Sequence, residues 1–224
     1  MCGICGIYGT KAAENKTVEM TYQLGHRGPD NFSSWTAKNI SIGHSRLSIV
    51  DLSDAGSQPI CNNMYGLVAV VNGEIYNYAS LRKKLENLGA RFRSNSDSEV
   101  VLHAFAFWGE ASFERLNGMF AFALFDVAKN ELYLVRDRVG IKPLYYMKSG
   151  EDLFFASEIK AILKVAGNDN WKINHQSFLE YLTYQNYFNS ETLFENIVLV
   201  KPGSFLKFDG RKCVECTYFQ RPNT

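Results

Sequence analysis

The sequence predicts an α+β protein in which helices cover stacked β-sheets. Most of the chain consists of short β-type runs separated by turns, and many of these runs are apolar on both faces, as in sheets that are packed on each side. A few amphipathic helices interrupt the runs. The 224 residues, 46% of them hydrophobic and including 16 Phe and 12 Tyr, fit one large domain with a substantial core.

The elements are predicted from pattern and breakers, in chain order. We predict strands at residues 4–9, 32–35, 40–49, 66–71, 118–125, 131–136, 144–147, 153–156, 193–200, 204–208 and 213–218. We predict helices at residues 14–24, 78–88, 97–108, 157–163 and 175–184. Gly25 and Gly89 end the first two helices, and Ser96 followed by acidic residues begins the third. Two breakers within residues 26–30 predict a rigid loop.

The overall charge and hydropathy exclude several classes of protein. The formal net charge is +1, which favours binding neither to nucleic acid nor to an anionic membrane. The sequence contains no apolar run of transmembrane length and no basic-then-apolar signal segment at its start. We therefore expect a cytoplasmic protein.

The spacing of the cysteines raises the question of a metal or redox site. Cys2 with Cys5 and Cys213 with Cys216 have the C-x-x-C spacing that is typical of zinc ligands. The pairs lie at opposite ends of the chain, and residues three apart in a strand face opposite sides. A redox pair would open a helix after a strand, whereas the residues around Cys5 are typical of a strand. None of the histidines has a second histidine four residues away in a helix, so a two-histidine metal site is unsupported and we expect no metal.

The first residues contain a candidate nucleophile. Met1 is followed by Cys2, and the initiator methionine is normally removed when the next side chain is small, so we predict that the mature protein begins at Cys2. Its thiol and a free α-amine then lie on one residue, and an α-amine titrating near ~8 can act as the general base. The alternative is that Cys2 is an ordinary buried thiol at the start of a hydrophobic strand.

Several polar residues admit both a structural and a functional interpretation. Arg46, inside a strand pattern, is either a solvated strand residue or a fixed guanidinium for a carboxylate. Asn72 and Gly73 form either a hairpin turn or a pair of donors for an oxyanion. Asp97 either caps a helix or holds an ammonium group. With Cys2, these residues describe a site that hydrolyses the side chain of a free amino acid, and no ATP-binding motif is readable.

Nine short segments in chain order carry a resemblance to a known family. They are MCGICG at 1–6, HRGPD at 26–30, RLSIVD at 46–51, VNGEIYN at 71–77, SDSE at 96–99, GMFAFALFD at 118–126, RDRVGIKPLYY at 136–146, ASEIKA at 156–161 and KPGSFL at 201–206. With these segments the chain resembles the N-terminal glutaminase domain of glutamine-dependent asparagine synthetases. These are class II glutamine amidotransferases of the N-terminal-nucleophile hydrolase superfamily.

The resemblance implies a fold and a reaction. The fold is an αββα sandwich of two stacked, mostly antiparallel sheets between helix layers, formed by residues 1–224 as a single domain. Cys2 attacks the amide carbon of L-glutamine and forms a γ-glutamyl thioester, and Asn72 and Gly73 hold the oxyanion. Water then releases glutamate.

The resemblance also implies how the substrate is held. Arg46 binds the α-carboxylate, Asp97 and Glu74 bind the α-ammonium, and the backbone near Ile49 and Val50 completes the pocket.

The partners and cofactors follow from the same resemblance. We expect an ATP-dependent synthetase domain, in cis or in trans, that is absent from this chain. ATP and Mg are expected only there, with no cofactor in this domain. A homodimer is possible. The alternative is a catalytically silent domain of the same fold that acts as a scaffold or partner-binding module.

Overall fold

The computed structural model of the chain describes residues 1–48, 51–167 and 172–220. The strands within these residues are β1 (Gly3–Tyr8), β2 (Asn31–Ala37), β3 (Ile40–Arg46), β4 (Ile60–Asn62), β5 (Leu67–Ile75), β6 (Gly118–Asp126), β7 (Glu131–Arg136), β8 (Tyr145–Ser149), β9 (Asp152–Ala156), β10 (Ile197–Leu199), β11 (Ser204–Phe208) and β12 (Cys213–Thr217). The helices are α1 (Glu14–Gln23), α2 (Tyr78–Asn87), α3 (Glu99–Trp108), α4 (Ser112–Arg115), α5 (Ile159–Ala166) and α6 (His175–Tyr184).

The strands form two antiparallel sheets. The first sheet has the order β10-β8-β9-β1-β3-β2, and the second has the order β12-β11-β7-β6-β5-β4. β1 lies between β3 and β9, so both of its edges are paired. β5 pairs along its whole length with β6, but β4 covers only its first three residues on the other edge. The candidate site lies where β4 no longer covers β5.

Three apolar clusters show that the molecule has four layers. Ile4 and Tyr8 of the first sheet pack against Val68 and Val70 of the second in a cluster between the sheets. A second cluster lies between the second sheet and the helices α2 and α3. A third lies between the first sheet and the helices α1 and α5. The layers are therefore helix, sheet, sheet and helix, and the predicted αββα sandwich is confirmed.

The alternation of β1 explains why its sequence is apolar on both faces. Ile4 and Tyr8 face the second sheet, whereas Cys5 and Ile7 face the helical layer of α1 and α5. All residues of β1 are buried. A strand buried on both sides has no polar face, and this is typical of the inner strands of layered folds.

Most predicted elements are confirmed within a few residues, and the differences have local causes. A hairpin turn was one interpretation of residues 72–74. In the structure these residues continue β5 as a strand. α3 begins at Glu99 rather than at Asp97, because the Asp97 carboxylate accepts a hydrogen bond from the Ile75 N–H instead of capping the helix. α5 begins after Ser157, whose backbone and side chain bond to β1. The short elements β4 and α4 were not predicted.

No helix among the described residues is long and apolar enough to cross a membrane.

Candidate active site

A cavity of about 140 Å³ lies between the ends of β1, β3 and β5. Its walls bring together six of the residues that the sequence singled out, which are Cys2, Arg46, Asn72, Gly73, Glu74 and Asp97. They come from four separate segments of the chain. Ile49 and Val50, which were also expected at the pocket, lie outside the described residues.

The Cys2 thiol faces the start of the loop that follows β3. Its Sγ lies 3.4 Å from the Leu47 nitrogen and 3.6 Å from the Leu47 oxygen, so the thiol can accept from one group and donate to the other. Burial raises the pKa of this thiol, and the hydrogen bond from Leu47 and the nearby positive charges lower it less. The thiol is therefore mainly protonated at neutral pH, and a nucleophilic thiolate requires a base.

Met1 occupies part of the cavity in this structure. Its side chain lines the wall, with Sδ 3.1 Å from Lys142 Nζ, and its ammonium group donates to the Arg27 carbonyl at 3.1 Å. While Met1 is attached, the nitrogen of Cys2 is a peptide nitrogen and not a base. Removal of Met1 would create an amine at Cys2 and enlarge the cavity.

Arg27 holds the backbone of Cys2, a contact that the sequence analysis did not identify. Its Nε donates to the Cys2 carbonyl at 3.0 Å, and its Nη1 donates to Glu158 at 2.9 Å. The loop that carries Arg27 lies directly on β3, because a Cβ at Gly28 would lie 2.4 Å from the Ser45 carbonyl oxygen. The glycine and proline in the HRGPD segment predicted a rigid loop. No local pattern indicated that Arg27 of this loop would contact Cys2.

The amide of Asn72 is buried and has an unused hydrogen-bonding capacity. Neither its oxygen nor its nitrogen has a partner among the described residues, although the side chain is fully buried and lines the cavity. An unpaired buried amide costs about 1–3 kcal/mol, so such a group is typical of a site that a ligand completes. Gln58 fixes the strand just before it, since its side chain bonds to both the N–H and the C=O of Val71 at 2.6 and 3.2 Å.

Gly73 allows β5 and β6 to approach closely beside the cavity. Its φ is +151°, and a Cβ at this position would lie 2.1 Å from the Met119 carbonyl oxygen. A side chain is therefore excluded here. Having no side chain, Gly73 lines the cavity with its backbone.

Arg46 presents a buried positive charge to the cavity. The residue is 7% exposed, and its guanidinium donates to the Ser57 hydroxyl and to the carbonyls of Asp51 and Ser53. These neutral acceptors fix the orientation of the guanidinium. No carboxylate in residues 1–48, 51–167 and 172–220 forms an ion pair with it, so a ligand carboxylate can supply the missing negative charge.

Glu74 and Asp97 supply negative charge to the same cavity. Burial raises the pKa of Asp97, hydrogen bonds including one from the Ile75 N–H oppose this, and the Glu74 charge raises it further. Two neighbouring carboxylates repel each other, and a cation between them relieves that repulsion. The cavity therefore has a positive wall at Arg46 and a negative wall at these acids, an arrangement that matches a zwitterionic amino acid.

The other cysteines are arranged differently from the expectation for a zinc site. Cys5 points into the layer of α1, with its Sγ 3.3 Å from the Thr21 hydroxyl. Cys213 packs in the cluster between the sheets, whereas Cys216 packs in the cluster on the outer face of the second sheet. Within the described parts of the chain, no group of three or more His, Cys, Asp and Glu residues is placed to hold a metal ion.

Two stacked antiparallel sheets between helices, with a thiol near the chain start that faces a cavity, are the arrangement expected of an N-terminal-nucleophile hydrolase. Residues 1–219 match the family described as the glutamine amidotransferase domain, and the chain belongs to that family. Its domain is of class II, the type found at the N-terminus of asparagine synthetases.

The relatives include asparagine synthetases from two bacteria, Bacillus subtilis and Escherichia coli. The chain is 43% identical over 169 residues to asparagine synthetase 3 of Bacillus subtilis, covering 73% of the chain and 27% of that protein. It is 36% identical over 210 residues to asparagine synthetase 1 of the same organism, covering 91% and 33%. It is 40% identical over 171 residues to asparagine synthetase B of Escherichia coli, covering 74% and 30%. The chain thus spans about a quarter to a third of these relatives.

Solved structures share the fold. The glutamine phosphoribosylpyrophosphate amidotransferase from Bacillus subtilis, complexed with ADP and GMP, aligns with a TM-score of 0.74 at 21% identity. The alignment covers 98% of this chain and 50% of that chain. At this identity the likeness shows the fold alone.

Proposed function

We propose that this chain hydrolyses L-glutamine to glutamate and ammonia through a thioester on Cys2. The observation that carries the proposal is the composition of the cavity. One cavity is lined by the Cys2 thiol, by the buried Asn72 amide, which has no hydrogen-bond partner among the described residues, by the Arg46 guanidinium, which has no carboxylate partner among them, and by the neighbouring acids Glu74 and Asp97. These groups complement a γ-amide, an α-carboxylate and an α-ammonium.

The reaction begins with the mature N-terminus. The α-amine of Cys2 takes the thiol proton, and Sγ forms a bond to the amide carbon of glutamine. The negative charge that develops on the amide oxygen is stabilised by the Asn72 side-chain N–H and the Gly73 backbone N–H. The C–N bond breaks as the protonated amine returns its proton to the leaving nitrogen, and ammonia departs. Water then attacks the thioester, which releases glutamate and regenerates the thiol.

Substrate is held by groups that are charged before and after the reaction. Arg46 binds the α-carboxylate through the guanidinium N–H groups that its own loop does not use, and Asp97 with Glu74 binds the α-ammonium. Because Arg46 is fixed by neutral oxygens on the loop 51–57, it is preorganised for this contact. Glutamine amidotransferase chemistry of this kind needs no cofactor.

The ammonia is proposed to serve an amidation of the asparagine-synthetase type. The relatives that support this are named asparagine synthetases and are about three to four times longer than the matched region. The acceptor, ATP and Mg would then be bound by a synthetase domain, in cis or in trans. A catalytically silent scaffold is the weaker candidate, because Cys2, Arg46, Asn72, Gly73, Glu74 and Asp97 all line one cavity.

Replacement of the two N-terminal cysteines tests the proposal. Cys2→Ala should abolish glutamate release from glutamine, whereas Cys5→Ala, a matched change in the same strand region, should leave turnover largely unchanged. A diazo-ketone analogue of glutamine should label Cys2 only. Hydrolysis by folded Cys2→Ala protein would contradict the thioester mechanism. Lack of both turnover and labelling in protein that begins at Cys2 would favour the silent scaffold.

The mass of the intact protein tests the proposed base. Active protein purified from a cytosol with normal methionine aminopeptidase should begin at Cys2. Active protein that retains Met1 completely would contradict the role of the α-amine, because the nitrogen of Cys2 would then be a peptide nitrogen.

A further inference from the structure

We propose that Glu158 is a positioning residue for the Cys2 nucleophile and that it acts through Arg27. This inference rests on the proposed role of Cys2 as the nucleophile. The ASEIKA segment at residues 156–161, which contains Glu158, has no other function in the proposed reaction.

A nucleophile at the end of a chain needs an anchor. The ladder between β1 and β3 begins at the pair Gly3–Ser45, so Cys2 lies just outside the sheet. Once Met1 is removed, Cys2 has a covalent neighbour on one side only, and chain ends fray unless they are tied down. The bond from Arg27 Nε to the Cys2 carbonyl, 3.0 Å long, ties the main chain of this residue.

Arg27 in turn requires a partner that fixes its guanidinium. Its side chain is only 9% exposed, and Nη1 lies 2.9 Å from the Glu158 carboxylate. A buried guanidinium without a countercharge is strongly unfavourable, so Glu158 both stabilises Arg27 and sets the plane of its fork.

Glu158 is held in its charged form. Burial raises its pKa, but hydrogen bonds from Arg27, His26 and Lys160 outweigh burial and keep the pKa below its ordinary value. The carboxylate lies 2.8 Å from His26 Nε2 and 3.3 Å from Lys160 Nζ. It is therefore ionised at neutral pH, and the buried Arg27 is its main partner, since His26 and Lys160 are about half exposed.

The neighbouring Ser157 holds the same end of β1. Its backbone N–H donates to the Ile4 carbonyl at 2.9 Å, and its hydroxyl accepts from the Ile4 N–H at 3.0 Å. Consecutive residues thus fix both Ile4 and, through Arg27, the carbonyl of Cys2. The segment after β9 anchors the start of the chain although it lies about 150 residues away in sequence.

Glu158 does not line the cavity that contains Cys2, so its loss should act on alignment and not on substrate binding. A misplacement of about 1 Å can cost on the order of 100-fold in rate. We expect Glu158→Gln to lower kcat about 10-fold or more per folded molecule, with KM for glutamine changed less than threefold. The rate of Cys2 alkylation by iodoacetamide, measured without glutamine, should change from the wild-type value.

Lys160→Gln provides the matched control. Lys160 also pairs with Glu158, but it is half exposed, so this ion pair contributes much less than the buried one with Arg27, and Lys160 has no contact with Arg27 among the described residues. Its replacement should leave kcat, KM and the alkylation rate within twofold of wild type. In an Arg27→Lys background, which removes the fork, Glu158→Gln should cause little further loss, because both changes break one chain of contacts.

Unfolding by urea separates positioning from stability. A purely structural role for Glu158 would lower the unfolding midpoint and leave kcat per folded molecule and the alkylation rate unchanged, and this result would overturn the proposal. If Glu158→Gln does not fold, Glu158→Asp, which keeps the charge with a shorter reach, is judged by the same criterion. Because alkylation is measured without glutamine, it tests the anchor even if glutamine proves not to be the substrate.

Discussion

Arg46 and Arg136 are equally buried residues at equivalent places in two strands, yet the regions around them differ. Each is the last residue of its strand, β3 or β7, and each is 7% exposed. Arg136 donates to the carbonyls of Lys142, Val200 and Gly140 at 2.9, 2.8 and 2.7 Å. The acid that follows it, Asp137, is fully buried and raises its pKa against the effect of burial.

Burial of a charge therefore does not by itself define a site. The β7 end is saturated, since Asp137 also accepts from the backbone N–H groups of Phe120, Val139, Ile141 and Lys142. The β3 end directs its guanidinium at a cavity and has no carboxylate partner among the described residues. Substitutions at the β7 end should therefore change stability, and substitutions at the cavity should change catalysis.

The largest expected effect is on stability at the saturated end. Arg136→Ala should lower the free energy of unfolding by about 3–5 kcal/mol, because it leaves the carbonyls of Lys142, Val200 and Gly140 without their donor and removes the positive charge next to the buried Asp137. Urea denaturation measures this loss. Under conditions where the variant is folded, kcat per folded molecule should stay within about threefold of wild type. A large loss of kcat without a loss of stability would erase the distinction between the two regions.

The next effect is on turnover at the cavity. Asn72→Ala should lower kcat by on the order of 10²–10³ with KM much less affected, because the oxyanion exists in the transition state and not in bound glutamine. Steady-state glutaminase kinetics measure it, with folding checked by circular dichroism. Stability should change little or rise, since the variant removes an unpaired buried amide. Near-normal kcat in folded protein would show that the Asn72 amide does not stabilise the oxyanion.

A smaller effect is expected on substrate binding at Arg46. Its proposed partner, the α-carboxylate, is charged in substrate and transition state alike, so Arg46→Ala should act largely on KM. The loss of a charged hydrogen-bonded contact, about 1.5–3 kcal/mol, corresponds to roughly 10- to 150-fold. Arg46→Lys keeps the charge but not the fork, and it should restore KM only in part. A KM unchanged in both variants would place the carboxylate elsewhere.

The smallest effect, taken per pH unit, is a pH dependence of stability that arises in β3 near the cavity. His44 lies in β3 opposite Ile4, fully buried, and burial lowers its pKa to about 3. In the unfolded chain the histidine titrates near ~6.5. Between that pH and about 3 the unfolded state therefore binds a proton at His44 that the folded state does not bind. The contribution of neutral His44 to the free energy of unfolding is therefore complete above pH ~6.5. It is lost as the pH falls toward 3, by at most about 1.4 kcal/mol per pH unit.

Unfolding curves between pH 7 and pH 4 check this slope. A His44→Phe variant, whose ring does not titrate, should lose less stability over this range than wild type does. Equal slopes in the two proteins would show that the histidine is already accessible to protons in the folded state.

The predicted elements succeeded where the pattern is local and failed where a distant partner decides. The periodicity of α6 and of β11 gave the bounds found in the structure. β4, only three residues long, exists because its residues pair with β5, and no periodicity can appear in so short a run. The turn interpretation of Asn72 and Gly73 failed because β6 supplies a partner along the whole of β5, which outweighs the local preference of Asn-Gly for a turn.

The sequence alone determined the chemical groups of this protein. A cysteine after the initiator methionine, short runs apolar on both faces, and motifs in family order are all properties of neighbouring residues. They were sufficient for the αββα class and for the identities of the residues now found around the cavity.

The tertiary structure decided which of these groups meet. One cavity contains Cys2, Arg46, Asn72 and Asp97 because the strands that carry or precede them pair in a particular register and the two sheets stack. That register depends on pairings between segments far apart in sequence. The same is true of the contact between Arg27 and Glu158, which joins loops about 130 residues apart. Local patterns report which face of an element is buried, but only the packed fold determines what lies against that face.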